Sequence, residues 1–506
     1  MWQTIRISLR SYRRNFRKHW IYNLLNIGGL SIAFICLCLM IAYIFHETSY
    51  DRFNSKADRI FRPTYQMQSD NGFAVHWARI PDDYINELPN DIPEIAKLIR
   101  FQNQEQKYIR VGEERFKPRH AYTTDAEVFE VFDFKIVDGA VSDGLLQPYS
   151  VVLTETLARR YFGKTDVIGK QIYVTGDWTP EEQPYTVTAV MADLPANTHL
   201  PVELLFSFKN AEERSGWAYV YTLLQENASI EQVQAKMGAF VSKYQDPDAT
   251  MKVDIVFQPL TGIHLTSNLA REIKPNSSLF YVRIFWGVGL FIWLIALVNF
   301  SNLSSALALT KGKEAGVRKI LGAQRRHLVM SALGDSIIGS LMALLIAILI
   351  AWWCLPGFEM LTGTSLLPQF SRVLPILLSV SVVSGIIAGL VPAFMMYGID
   401  ILRVLKESNQ WSWKQKGYTA NVKKTMVMLQ FTATIVLLSG ALIARQQFAF
   451  IQEKNLGMNA EQVVAIAQVP DAVKLKYPLF KDRVSKLSGV TAVAACMEVP
   501  SPRNPR

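Results

Sequence analysis

Long apolar runs alternate along the chain with basic or mixed-polarity segments, and that alternation sets the architecture. Five runs approach or exceed the ~20 residues a helix needs to cross a ~30 Å hydrocarbon layer. They are Ile21 to Phe45, Ile284 to Leu309, Ile337 to Leu355, Pro375 to Tyr397 and Met426 to Ala444. Between the first two lies a long stretch with another rhythm. Tyr149 to Leu153, Gln171 to Thr175 and Tyr185 to Val190 alternate as strands do, whereas Glu155 to Phe162 and Ile230 to Tyr244 carry helical periodicity. Strands and helices interleaved over this length predict an α+β domain, or two subdomains, able to bury its own core. The fold class is therefore a polytopic α-helical membrane protein with five predicted spans and a large α+β extracytoplasmic domain.

Charge supplies the direction. The chain carries a net +10, which by itself suggests a nucleic-acid partner. Its distribution excludes one. The bases concentrate in Arg6, Arg10, Arg13, Arg14, Arg17 and Lys18, in Lys311, Lys313, Arg318, Lys319, Arg325 and Arg326, and in Arg403, Lys406, Lys414, Lys416, Lys423 and Lys424. Against them stand only Glu314, Asp400 and Glu407, so the rest of the chain is net acidic. Basic loops stay in the cytoplasm, which places the N-terminus inside, residues 47–280 outside, and a short outer loop holding Glu359 and Arg372 between the third and fourth spans. The expected divisions are a cytoplasmic amphipathic helix (1–20), the first span (21–46), the outer domain (47–280), a three-span permease region (281–410), a cytoplasmic linker (411–424), the fifth span (425–445) and the start of a second outer domain (446–506). That last segment ends in EVPSPRNPR without a closing helix or strand. In the first segment Ile5, Leu9, Tyr12 and Phe16 form a stripe beside the arginines, as in a helix lying on anionic membrane lipid. A plain cationic tail shares the charges but not the stripe.

Lys311 to Ala323, KGKEAGVRKILGA, is a basic segment between two spans. Read as a helix over 311–323, it sets Val317, Ile320 and Leu321 in one apolar ridge, turns Arg318 and Lys319 elsewhere, lets Glu314 pair with Arg318, and stops at Gly322 before Ala323. Such a ridge in a cationic surround suits a groove on a cytoplasmic partner. A solvated positive-inside turn explains the charges equally well. In the second span Asn299, Asn302 and Ser305 form a polar stripe that could line a path or bond a neighbouring helix. Ser381, Gly385 and Gly389 in the fourth present a small-residue face for close backbone approach.

Catalytic chemistry is not evident. His46-Glu47 lacks the second histidine of a zinc helix, the other histidines are scattered, and no G-x-S-x-G elbow occurs. Gly163 to Lys170, GKTDVIGK, mimics a phosphate loop but has five residues between its glycines and Gln171 in place of Ser or Thr, so it reads as a helix-to-strand turn. Three of the four cysteines, Cys36, Cys38 and Cys354, lie in or at the end of spans, and residues 47–280 contain none. No catalytic, metal or cofactor residue is assigned, and the chain is not expected to be an enzyme.

Asn299 to Ala323, NFSNLSSALALTKGKEAGVRKILGA, resembles the signature around the ATPase-coupling loop of ABC-transporter permeases with a MacB-like periplasmic core domain and an FtsX-like membrane part. Ser150 to Lys170, SVVLTETLARRYFGKTDVIGK, resembles that family's periplasmic signature, and Phe257 to Leu265 and Gly389 to Lys406 also fit. The resemblance implies that Glu314, Gly316, Val317, Arg318, Lys319, Ile320, Leu321, Gly322 and Ala323 dock on a separate ABC ATPase subunit, which binds ATP and Mg. It implies a bacterial inner-membrane permease, paired with a second permease chain or another copy, that drives export or mechanical work on a lipoprotein, peptide or toxic small molecule. Gln430 to Glu461 is similar to the start of the second half of double-length members. A membrane-anchored sensor or ligand-binding protein signalling through its cytoplasmic loops is the alternative, against which the short inner segments count.

Overall fold

A computed structural model describes residues 20–69, 72–104, 107–140, 144–175, 181–210, 212–245, 251–310, 324–397, 417–453, 463–466, 469 and 471–496. Eight helices of eight or more residues occur among them. These are α1 (Trp20–Thr48), α2 (Glu155–Phe162), α3 (Ile230–Tyr244), α4 (Leu279–Thr310), α5 (Arg325–Thr362), α6 (Phe370–Tyr397), α7 (Gly417–Glu453) and α8 (Tyr477–Ser485). The chain divides into two compact units, one of residues 1–46 and 280–458, the other of 47–279 and 459–506.

In the first unit, among the described residues, five helices are long and apolar enough to span a membrane: Trp20–Thr48, Leu279–Leu307, Arg326–Thr362, Leu367–Phe394 and Val427–Ile451. Leu30, Phe34 and Leu37 of α1 pack with Ala296 and Phe300 of α4, Ala343 and Ala347 of α5, and Val373 and Leu377 of α6. Lipid supplies no hydrophobic drive between helices, so close packing and hydrogen bonds must hold them. Small residues permit the packing. The α5–α6 backbones come so near that a Cβ added at Gly385 would lie 2.7 Å from Ile337 Cα, and one at Gly389 would lie 3.0 Å from Ser336 Cβ. Ser340 Oγ donates to the Ser381 carbonyl at 2.8 Å in the same seam.

The helices outrun the apolar runs that announce them. α5 continues to Thr362 and α6 begins at Phe370, so Glu359 and Arg372 are helical and not loop residues. The physical reason is a cap: Glu359 Oε1 accepts from the Leu366 and Leu367 amides, at 2.5 and 3.1 Å, and closes the connection tightly. Toward its C-terminal end, α4 carries the Asn299, Asn302, Ser305 stripe, whose members part company. Asn299 Oδ1 accepts from Gln430 Nε2 of α7 at 3.4 Å, while Ser305 Oγ turns back to the Ser301 carbonyl of its own helix.

Among its described residues the second unit is built on thirteen strands: β1 (Ile60–Ser69), β2 (Ala74–Trp77), β3 (Ile95–Asn103), β4 (Tyr108–Val111), β5 (Glu114–Phe116), β6 (Ala121–Thr124), β7 (Ile136–Gly139), β8 (Ser150–Thr154), β9 (Gln171–Thr175), β10 (Gln183–Met191), β11 (Leu204–Ser207), β12 (Tyr219–Leu224) and β13 (Met251–Pro259). They run in the order β13-β1-β12-β3-β6-β11-β8-β10-β9-β4-β5, with β2 on β1 and β7 on β10. β8 pairs parallel with β10, and β6 with β11; every other named pair is antiparallel. β8, β11 and β12 are buried along their whole length, which accounts for their continuous apolar or small-residue character.

Helix signals act where they stand. Ser229 and Gln232 form a capping box on α3, which buries Val233, Met237, Phe240 and Val241 at helical spacing. Thr154 caps α2, and Gly163 ends it in the left-handed conformation at φ 74°, so GKTDVIGK is the link from α2 to β9. Two satellite cores form beneath these helices, one around Phe240, Leu88 and Ile255, the other around Leu157, Tyr161, Val187 and Phe206. Between them a central core gathers Ile60, Phe101, Tyr122, Phe132 and Tyr221.

Gly385→Leu is expected to drive the α5–α6 seam apart and lower stability by at least ~1–3 kcal/mol, the usual cost of overpacking. Gly440→Ala, where no atom lies within 4 Å, should leave the thermal midpoint of the purified full chain unchanged. Equal midpoints for the two variants would contradict the packing account.

Candidate functional site

The segment 311–323, with Glu314, Gly316, Val317, Arg318, Lys319, Ile320, Leu321, Gly322 and Ala323, lies outside the described residues, as do residues 1–19. Of the other predicted positions, Ser381, Gly385 and Gly389 come together against α5, while Asn299 bonds Gln430 of α7 and Ser305 bonds its own helix.

The most concentrated chemistry instead lies where the α/β unit begins and ends in sequence. Glu47, the penultimate residue of α1, is buried, and His264 Nε2 meets its Oε2 at 3.0 Å. His264 belongs to the single helical turn Ile263–Thr266, shortly before α4. Tyr50 stacks on the His264 ring with centroids 3.3 Å apart and planes 1° apart, and Lys274 Nζ stands 4.9 Å from the centre of the Tyr50 ring. Burial pushes the Lys274 ammonium below its ordinary range, while the Asp51 and Glu47 charges pull it back.

A second chain of side chains runs deeper. Asp51, 1% exposed and left-handed at φ 59°, accepts from Thr198 Oγ1 at 2.8 Å, from the His199 amide at 3.2 Å and from His199 Nδ1 at 2.8 Å. His199 Nε2 lies 2.7 Å from the Tyr221 hydroxyl, which also faces Arg62. One proton arrangement satisfies both His199 contacts: Nδ1–H donates to Asp51 and Nε2 accepts from the Tyr221 hydroxyl. Arg62, fully buried on β1, then donates both terminal nitrogens to Glu272 at 2.8 Å, and Nη2 also to Gln258 at 2.7 Å and Ser267 at 3.0 Å. Arg271, next to Glu272, is also left-handed, at φ 63°.

Such a network is costly unless complete, because a buried charge without its partner loses its hydration and gains nothing. Here Asp51 and Glu272 each have several donors, while Arg62 Nε and His264 Nδ1 are buried without a hydrogen-bond partner. Burial pushes Glu272 upward, but the hydrogen bonds and charge of Arg62, with Ser267, outweigh it and hold the carboxyl below its ordinary value. Burial raises Tyr221 well above its ordinary range, so the phenol stays protonated. With Asp51, His199, Tyr221 and Arg62 all nearly solvent-free, no substrate reaches the group. Its arrangement can hold, but it cannot turn over an external molecule.

What it holds is the chain's own topology. Residues 47–51 continue from α1 and residues 264–279 lead into α4, and the two segments are joined by Glu47–His264, with Arg62–Glu272 and Asp51–His199 behind. Sequence reasoning set aside the histidines as scattered; their spacing gives no signal, because the pairs span 148 and 217 positions. The acids Glu47 and Asp51, so soon after an apolar run, were the only available hint.

The MacB-like periplasmic core domain matches residues 23–240, and the FtsX-like permease C-terminal domain matches residues 286–409. Five apolar helices with a large α/β extracytoplasmic domain define a polytopic membrane protein, and the chain belongs to the ABC-transporter permeases that combine these two domains. Among solved structures it is similar to a domain of a putative permease from Porphyromonas gingivalis, at 17% identity and a TM-score of 0.35, covering 41% of this chain and 91% of that one. It is also similar to the periplasmic region of MacB from Actinobacillus actinomycetemcomitans, at 15% identity and a TM-score of 0.26, covering 38% and 87%. The extracellular domain of the noncanonic ABC-type transporter YknZ from Gram-positive bacteria gives 16% identity and a TM-score of 0.29, covering 39% and 99%. A comparison with curated proteins gives no match.

Glu272→Gln would leave Arg62 buried without its counter-charge, and the expected loss is ~3–5 kcal/mol in denaturant unfolding of the purified chain. Glu226→Gln, at an exposed ion pair with Arg59, should change little. Because the folded Glu272 value is depressed, its contribution is complete above the ordinary carboxylate value of about 4.3 and fades as pH falls through the folded value. The Gln variant should therefore lose less stability than the parent chain on acidification, and equal losses would contradict the assignment.

Proposed function

We propose that this chain is the permease subunit through which a separate cytoplasmic ATPase drives its extracytoplasmic domain to work on a lipoprotein, peptide or toxic small molecule. The observation that carries the reading is the buried polar network joining residues 47–51 to residues 264–279. A domain whose first and last segments are tied together moves as a body when the attached spans move, and needs no catalytic group of its own.

ATP and Mg belong to the partner, which engages the basic segment from Glu314 to Ala323; Val317, Ile320 and Leu321 supply the apolar ridge and Arg318 and Lys319 the charge. The permease sits in a bacterial inner membrane with its N-terminus in the cytoplasm, as the basic segments favour. Membrane lipid covers its spans, and a second permease chain or another copy completes the assembly. The α7 span supports that reading, since its most apolar window buries none of its residues within this chain.

Arg318→Glu combined with Leu321→Asp should abolish co-purification with the cognate ATP-binding subunit and remove its stimulation by the permease, while the variant still inserts and melts as the parent does. Retained complex formation and stimulation would refute the docking role.

A further inference from the structure

Away from the polar network, at one end of β8, β10 and β11, the α/β unit holds two lysines over an aromatic floor. Tyr149 precedes β8, Gln183 and Tyr185 open β10, and Phe206 lies in β11, with Lys209 just beyond its end; the strand registers bring these positions level. The Tyr185 ring lies 5.5 Å from Tyr149 and 4.9 Å from Phe206. Lys107 Nζ stands 5.3 Å from the Phe206 centroid, and Lys209 Nζ stands 5.7 and 5.9 Å from Tyr149 and Tyr185.

Three features of this cluster are incomplete. Lys107 is partly buried, yet its ammonium has no hydrogen-bond acceptor or ion-pair partner among the described residues. The Tyr185 hydroxyl is buried without a partner, on a residue only 1% exposed. Tyr149 holds a left-handed backbone at φ 60°, one of three such non-glycine residues described and the only one of them outside the polar network. Lys209 is satisfied, donating to Gln183 Oε1 and pairing with Glu213 at 3.8 Å. Glu213 is thus a single carboxylate near two ammonium groups, and the cluster keeps an excess positive charge. Burial lowers Lys107 to about 8, with Glu213 opposing and Lys209 adding to the shift.

We infer that Lys107, Tyr185 and Lys209 form a binding site for a carboxylate or phosphate group carried on a small apolar body. An oxyanion supplies acceptor oxygens to the bare Lys107 ammonium and the unpaired Tyr185 hydroxyl, and the excess charge favours it. The exposed ring of Tyr149 receives the apolar part. This site goes beyond the proposed transmission role and does not depend on it.

Pulse acetylation of the full chain in lipid nanodiscs, read by mass spectrometry across pH, tests it with hexanoate and inorganic phosphate as separate probes. In the free chain Lys107 should label with a midpoint near pH 8. A bound oxyanion should raise that midpoint by about one unit and slow labelling at pH 8 several-fold, with Lys164 unaffected. Protection by phosphate identifies the anionic group as sufficient; protection by hexanoate alone identifies the apolar body as required. Lys209→Gln should weaken either effect. A Lys107 midpoint unmoved by both probes, or protection undiminished in the Lys209 variant, overturns the site.

Discussion

Buried charge must be paired, and that constraint organises the α/β domain. Glu47 and Asp51 follow a membrane span so closely that the fold carries both out of water, and each is matched by a histidine brought from far along the chain. Replacing the pairs by apolar residues of similar shape would leave much of the burial intact. What the charged pairs add is geometric definition, since a bidentate guanidinium and a doubly bonded imidazole accept one arrangement. Asp51 and Arg271, both left-handed, show that the backbone bends at some cost to present these groups.

The membrane unit meets the opposite problem. There polar groups are scarce and apolar ones are not distinctive, so definition comes from how near two backbones can come. Ser381, Gly385 and Gly389 let α6 approach Ser336, Ile337 and Ser340 of α5. Single hydrogen bonds then pin neighbours at particular heights: Asn26 to Ser304, Ser31 to the Ala343 carbonyl, and Trp293 to Ser384. Both units solve the same task, fixing one packing among many, with the means their solvents allow.

Much of this was legible in the sequence. Apolar length marks the five spans, the capping residues of α2 and α3 stand where the helices begin, and the small-residue face of α6 lies against its neighbour. Local rules suffice there because the causes are local. Glu359 misled for the same reason: a charged residue after an apolar run looks like loop, yet it is helical and caps the turn that follows. The polar network was not legible at all. Its members sit on β1, β12, β13, three loops, one helical turn and the end of α1, and only the folded domain brings them together. The Lys107 cluster is hidden likewise, since β8, β10 and β11 converge by topology and not by spacing.

The central claim is that the segments leaving α1 and entering α4 are one mechanical body. Native-state hydrogen exchange of the full chain tests it most directly, by comparing peptides covering residues 47–58 and 260–279 in the parent chain and in Glu47→Gln. The account predicts that both segments open together in the parent, and that the substitution, made in only one, accelerates exchange in both. Acceleration confined to residues 47–58, with 260–279 unchanged, would contradict it.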